Sequence, residues 1–382
     1  MLASAAVSTA GVPASTPVFA PASPPLKARP RTAPVPDWAY ASVVLLALVP
    51  RVFQATHTPL RLDELRTLSL LRRGLGPMLA AVNQAVDPPL HYVLMWAWRA
   101  IGGESLLWLK ALPILCGVLT VVMLLPMGRA LFSTRSGILA GALLAVNGAH
   151  IVSSQHIRAY AFEWMVLTLT VWVAWRWTLR PRLAEGIGLV VGAVVALYTD
   201  YFSAFVLFAL GLWGVLYLRH ERRRLLMWIG TWAISALAFA PHLPAMLEQL
   251  GHDLSGERAL ASPLAMPDLM LLTRSLAFGS PFLIPLLAVV AALPLRRPAQ
   301  WKAASLLWFL ILLPSLVPWA MSVQGMHLFI ARQLLCTLPL WCLLLGAGLA
   351  HMRNLRLAFF LGLLLVAIAA LTWLAQWRAI VA

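Results

Sequence analysis

Apolar runs recur along this chain at bilayer-crossing length, and they constrain its fold more than any motif it carries. They lie near Trp38–Thr56, Leu106–Phe132, Gly137–Ile151, Tyr160–Leu179, Gly186–Tyr198, Phe202–Leu218, Leu225–Pro241, Pro281–Leu295, Ala303–Ala320, Leu334–Ala350 and Leu357–Leu374. Most are about 17 to 25 residues long, enough for a helix to cross the hydrocarbon core. The expectation is an all-α integral membrane protein: a polytopic bundle of about eleven transmembrane helices over residues 37–382. Residues 1–36 are rich in Ala, Pro, Ser and Thr and read as a disordered cytoplasmic tail. No cleavable leader stands out before Trp38, so the first run reads as an uncleaved span.

Composition agrees. Only 11% of residues are charged, against about a quarter in a soluble domain. The net charge of +16 does not indicate nucleic acid, because the basic residues fall in short clusters between apolar runs rather than on one polar face. They read as topology signals. Cys116, Cys336 and Cys342 all lie inside apolar runs and form neither a metal-ligand nor a disulfide pattern.

A twelfth run, Pro88 to Ile101, is only about half a span long. Treating it as interfacial puts every basic loop on the cytoplasmic side, as the positive-inside rule requires. These loops hold Arg129 with Arg135, Arg176 with Arg180 and Arg182, Arg219 with Arg222–Arg224, Arg296 with Arg297 and Lys302, and Arg353 with Arg356. The two long loops, 57–105 and 242–280, then lie outside and carry amphipathic stretches suited to the membrane surface. Most of the thirteen acidic residues follow them, Glu257 among them. Chemistry is therefore expected on the non-cytoplasmic face of a cell inner membrane.

Several polar groups converge there. Asp63 and Glu64 are adjacent and, on a helix, point about 100° apart; a plainer reading makes both helix-entry charges. Asp87 and His91 flank the Pro-Pro pair of the short run. Gln155, His156, Arg158 and Tyr160 follow the third span, and Tyr198, Asp200 and Tyr201 mark a turn after the fifth. Arg332 stands where the chain re-enters the membrane, with Lys110 and Arg51 just inside the same boundary. Any one of these cations is explained by snorkelling. Several together suggest an anionic partner at headgroup depth, such as a lipid phosphate.

The order of these motifs resembles the GT-C glycosyltransferases of family 39, the group of protein O-mannosyltransferases and lipid A aminoarabinose transferases. The shared elements are a DE pair after span one, the PPLHY segment, SQHIRAY after span three, YTDYF after span five and RQLLCTLP at the re-entry. The family usually has His where this chain has Asp87, often Glu-Ala at His156-Ile157, and often His at Asp200. Those departures bear on the acceptor and the finer geometry more than on the reaction class.

The resemblance implies inverting sugar transfer from a polyprenyl-phosphate donor to a lipid, protein or glycan acceptor. Asp63 would act as general base, with Glu64 positioning it or the sugar, and either carboxylate remains open for the base. Arg158, Arg332 and Lys110 would stabilise the departing phosphate. Asp87, His91, Gln155, Tyr160, Tyr198 and Tyr201 would orient substrate. No cofactor is required; a divalent cation on Asp63, Glu64 and Asp87 is compatible but not demanded. The competing readings are a transporter or flippase for a lipid-linked sugar, against which no internal repeat is seen, and a non-catalytic subunit that binds one.

Overall fold

The computed structural model describes residues 36–53, 55–57, 59–85, 87–255, 266–324, 328–352 and 354–381. The expected tail, but for Pro36, thus lies outside the described residues, as do Glu257, Arg353 and part of the 242–280 loop.

Within lipid, backbone N–H and C=O groups must be paired inside the protein, and the described residues form helices with no strand. The first four helices are α1 (Asp37–Val52), α2 (Leu62–Leu71), α3 (Leu75–Asn83) and α4 (Leu90–Gly102). There follow α5 (Leu106–Leu131), α6 (Thr134–Val146), α7 (Gly148–Gln155), α8 (Tyr160–Leu179), α9 (Leu183–Thr199), α10 (Ser203–Leu218) and α11 (Arg222–Phe239). The remainder are α12 (Leu243–Ser255), α13 (Met266–Leu276), α14 (Ile284–Ala292), α15 (Trp301–Val323), α16 (Ala331–Leu334), α17 (Leu338–Ala350) and α18 (Leu355–Val381).

This is a multi-pass membrane protein, and most of the expected apolar runs coincide with helices, whereas α2, α3, α12 and α13 match none of them. By length and apolarity, five described helical stretches can cross a membrane, or seven if the two pairs bent by 63° each count as one span. Helices α9 and α10 are apolar but shorter. The expected number of about eleven is therefore larger than the number these criteria supply. One expected span, Gly137–Ile151, is in fact the bent pair α6 and α7.

The core is built around α17, in which every residue from Leu338 to Leu349 is buried. It packs against α6, α14 and α15, while α6 lies between α17 and α5. Glycines permit these close crossings. A Cβ on Gly346 would sit 2.5 Å from the Ser136 carbonyl oxygen, and one on Gly128 would sit 2.3 Å from Gly137 Cα.

The break between α6 and α7 leaves carbonyls without helical partners, and Arg51 of α1 supplies donors. Its Nη1 donates to Ala47 O at 2.6 Å and Ala145 O at 3.0 Å, and its Nη2 donates to Leu144 O at 3.4 Å and contacts His150 Nδ1 at 2.6 Å. Its Nε donates to Ser154 Oγ at 3.3 Å. Arg51 is wholly buried, and its cationic side chain at the C-terminal end of α6 complements the helix dipole.

Helix direction then separates two ends of the bundle. Helices α8 and α10 start, and α9 finishes, beside one cavity, and the opposite ends of all three carry arginine clusters.

Candidate active site

A cavity of about 530 Å³ opens at the arginine-poor end of these helices. Its wall draws on α2, the turn before α4, the α7–α8 break, the α9–α10 turn and the segment at α16. Three carboxylates (Asp63, Asp87, Asp200) and three guanidinium groups (Arg66, Arg158, Arg332) line it together with tyrosines 92, 160 and 201.

Helix geometry sends the adjacent carboxylates of α2 in different directions. Asp63 faces the cavity with its side chain 30% exposed. Its Oδ2 lies 3.7 Å from Arg332 Nη1 and 3.9 Å from Arg158 Nε. Glu64 is 1% exposed and is absent from the cavity wall. Its Oε2 accepts from the Arg61 backbone N–H at 3.1 Å, and its Oε1 accepts from the Ile157 N–H at 2.9 Å. Glu64 thus fastens the start of α2 to the α7–α8 break.

That break holds Arg158 among acceptors. Its Nη2 pairs with Asp87 Oδ1 at 3.3 Å, and its Nη1 donates to Tyr92 Oη at 3.1 Å and to Thr67 Oγ1 at 3.5 Å. The Tyr92 hydroxyl in turn donates to Asp87 Oδ2 at 2.7 Å. Burial opposes the Arg158 charge, yet Asp87 foremost, with Tyr92, Tyr160 and Asp63, holds its pKa above the ordinary arginine value. Burial, reinforced by Asp87, likewise raises the Tyr92 phenol. Both protons stay on.

The α9–α10 turn adds Asp200, whose Oδ1 accepts from the Phe202 N–H at 2.9 Å. Burial pushes its carboxyl up to about 6. Tyr201 lines the cavity while its hydroxyl donates to Gln249 Oε1 at 2.7 Å. With that proton committed, His242 Nε2 at 2.9 Å must be a donor. Gln249 donates onward to the Asn83 carbonyl, so α12 and α3 brace this wall. His91 also lines the cavity, and burial brings its imidazole down to about 3, keeping it neutral. Burial, then Arg61, lowers His156 to about 4 just behind the wall.

Of the residues anticipated from sequence, Asp63, Asp87, His91, Arg158, Tyr160, Tyr201 and Arg332 are gathered here. Four are not part of the wall. Gln155 spends its amide on the Pro50, Arg51 and Phe53 carbonyls at the end of α1. Lys110 is buried and donates to Ala55 O at 2.7 Å. Tyr198 packs against Phe239 and His242. Glu64 is the tether described above. Arg66 and Gln333 were missed by the sequence reading. Arg66 was findable, since it stands three residues after Asp63 on the same face of a helix. Gln333 gave no signal, its placement depending on α16.

Among the described residues no three His, Cys, Asp or Glu side chains are grouped to hold a metal. Asp63 instead faces two cations, a setting that does not fit a divalent ion.

Comparison with known proteins is consistent with this architecture. Residues 86–247 match the family model described as dolichyl-phosphate-mannose-protein mannosyltransferase. The fold resembles the crystal structure of ArnT from Cupriavidus metallidurans bound to undecaprenyl phosphate, with a TM-score of 0.59 at 15% identity. That match covers 87% of this chain and 63% of ArnT. It also resembles the archaeal oligosaccharyltransferase AglB from Archaeoglobus fulgidus, in complex with an inhibitory peptide and a dolichol-phosphate. There the TM-score is 0.60 at 11% identity, over 89% of this chain and 55% of AglB. An Archaeoglobus fulgidus oligosaccharyltransferase in complex with Zn and sulfate gives a TM-score of 0.51 at 12% identity, over 88% of this chain and 53% of that one. The chain thus spans less than two thirds of the length of each. No curated protein matches it in sequence.

Proposed function

We propose that this chain, which carries the GT-C fold of polytopic membrane glycosyltransferases, is an inverting glycosyltransferase using a polyprenyl-phosphate sugar. The observation that carries this reading is Asp63: a carboxylate open to the cavity and flanked by two guanidinium groups. In the proposed reaction Asp63 takes the proton of an acceptor hydroxyl, and the oxygen forms a bond to the anomeric carbon. The bond from that carbon to the lipid phosphate oxygen breaks, and the phosphate leaves with the electron pair. Attack opposite the leaving group inverts the anomeric centre.

Arg332 is the proposed main phosphate contact, because it is half exposed on the cavity wall and only loosely engaged by Asp63. Arg66 supports it from α2. Arg158 adds its field, its own hydrogen bonds being committed to protein partners. Fixed cations where negative charge develops lower the barrier with little reorganisation. Asp87, Asp200, His91, Tyr160 and Tyr201 suit a sugar's hydroxyls. The site is proposed to face the non-cytoplasmic side, since the clusters at the far ends of α8, α9 and α10 are the arginines that the positive-inside rule assigns to the cytoplasm.

The test is a reconstituted assay in nanodiscs with radiolabelled polyprenyl-phosphate sugars and delipidated membrane extract as acceptor source. Wild type should release free polyprenyl phosphate and label an acceptor, and Asp63→Asn should lose about 10²–10⁴-fold in rate. Normal turnover in Asp63→Asn would remove the base assignment. In sealed proteoliposomes, translocation of the donor without transfer would instead identify a flippase.

A further inference from the structure

The two guanidinium groups beside Asp63 are held differently. Arg332 is 50% exposed and pairs with Asp63 at 3.7 Å. Arg158 is 16% exposed and is drawn the other way, into a closed triangle with Asp87 and Tyr92. Its Nε is buried without a hydrogen-bond partner and stops 3.9 Å from Asp63 Oδ2, beyond hydrogen-bond reach. Asp87 and Tyr92 occupy both terminal nitrogens of Arg158.

We propose that Asp87 is a positioning residue which, with Tyr92, holds Arg158 off Asp63 and so leaves that carboxylate free to take a proton. This catalytic consequence rests on the reading of Asp63 as base, whereas the coupling between the three side chains does not. Asp87 precedes the Pro88-Pro89 pair that leads into α4, and a following proline restricts its backbone. A cation at position 87 would repel Arg158 toward Asp63 and do the reverse.

Other groups also face Asp63. Arg332 approaches from α16, His156 with Arg158 from the α7–α8 break, and Tyr160 from α8. Arg61, Glu64 and Arg66 belong to its own helix or cap, and Lys110 of α5 interacts with Glu64 behind it. Of these, Arg158 is the one paired with Asp87 among the described residues, so the effect of substitution at 87 on Asp63 is read through Arg158.

The experiment follows labelling of Asp63 by a hydrophobic carbodiimide, which reacts with protonated carboxyls, in the full chain in nanodiscs across pH. Peptide mass spectrometry locates the adduct, and no donor or acceptor is needed. Asp87→Asn should move the half-labelling pH at Asp63 down by about one unit, the low end for an arginine released onto a neighbouring carboxylate. Asp87→Glu should track wild type. In an Arg158→Gln background the Asp87→Asn shift should shrink to a fraction. An unmoved midpoint in Asp87→Asn overturns the proposal, and so do equal shifts in the two backgrounds, which would mean that Asp87 acts by its own field. If Asp87→Asn does not fold, Tyr92→Phe should move the midpoint in the same direction by less, and no movement again overturns it. With donor present, Asp87→Asn should shift the acid limb of kcat/KM to lower pH and reduce kcat about tenfold. Intact labelling shifts with no transfer by any form, wild type included, would uphold the coupling and remove the transferase reading.

Discussion

Replacing Glu64 by Ala is expected to damage the fold rather than the chemistry, and the size of the loss follows from its two contacts. Both oxygens accept backbone N–H groups, from Arg61 at 3.1 Å and Ile157 at 2.9 Å, and the residue is 1% exposed. A hydrogen bond to a charged group is worth about 1.5–3 kcal/mol. The Arg61 contact sits on an exposed cap residue and belongs at the low end. The Ile157 contact is buried, and losing it strands an N–H with no water to replace the carboxylate. Together they amount to roughly 3–4 kcal/mol. Glu64→Gln should recover part of this, because one amide oxygen can still serve Ile157 while the NH₂ faces the Arg61 donor. Unfolding in mixed micelles by SDS titration measures both variants, with Asp63→Asn expected within about 0.5 kcal/mol of wild type, as for a surface substitution. The transfer assay should give the opposite ranking, with Glu64→Gln retaining activity and Asp63→Asn losing it. A Glu64→Ala protein as stable as wild type yet inactive would refute this reasoning and exchange the roles of the two carboxylates.

Three further outcomes are expected. Arg332→Ala should weaken binding of polyprenyl phosphate about ten- to hundredfold, the loss of one charge-assisted contact, and Arg66→Ala should weaken it less; unchanged affinity in both, by fluorescence or calorimetric titration, would misplace the phosphate. Burial raises the Asp200 carboxyl from 3.8 to about 6, so the folded state binds this proton more tightly than the unfolded chain. Its contribution is complete below pH 3.8, is lost as pH rises through about 6, and amounts to roughly 3 kcal/mol; Asp200→Asn should therefore flatten thermal stability over that window, and an unchanged profile would contradict the assignment. Gly346→Leu should push α17 from α6, because even a Cβ would lie 2.5 Å from the Ser136 carbonyl oxygen; an overpacking loss of about 1–3 kcal/mol should appear in the same SDS titration, and wild-type stability would show that the crossing can relax.

Much of the helical framework was legible in the residues. The run expected at Tyr160–Leu179 is α8, and that at Leu106–Phe132 ends one residue beyond α5, because lipid makes hydrophobic length a nearly direct record of helix length. The positive charges were equally readable, since their clustering survives any detail of packing. The site was legible only as a set of candidates. Asp63 and Arg332 are more than two hundred and fifty residues apart, and nothing in their spacing says that they meet.

Sequence by itself determined that the chain is a membrane helical bundle, where most of its helices begin and end, and which polar residues were candidates for a site. Tertiary structure alone decided which of two adjacent carboxylates opens to the cavity and which is a buried tether. It also decided that Gln155 and Lys110 serve backbone carbonyls, that Arg51 closes a broken helix, and that Arg158 leans to Asp87 rather than Asp63. The reason is physical. Hydrophobicity and charge act through composition along a segment, whereas a hydrogen bond requires particular atoms about 3 Å apart, brought from segments whose separation along the chain carries no information about their distance in space.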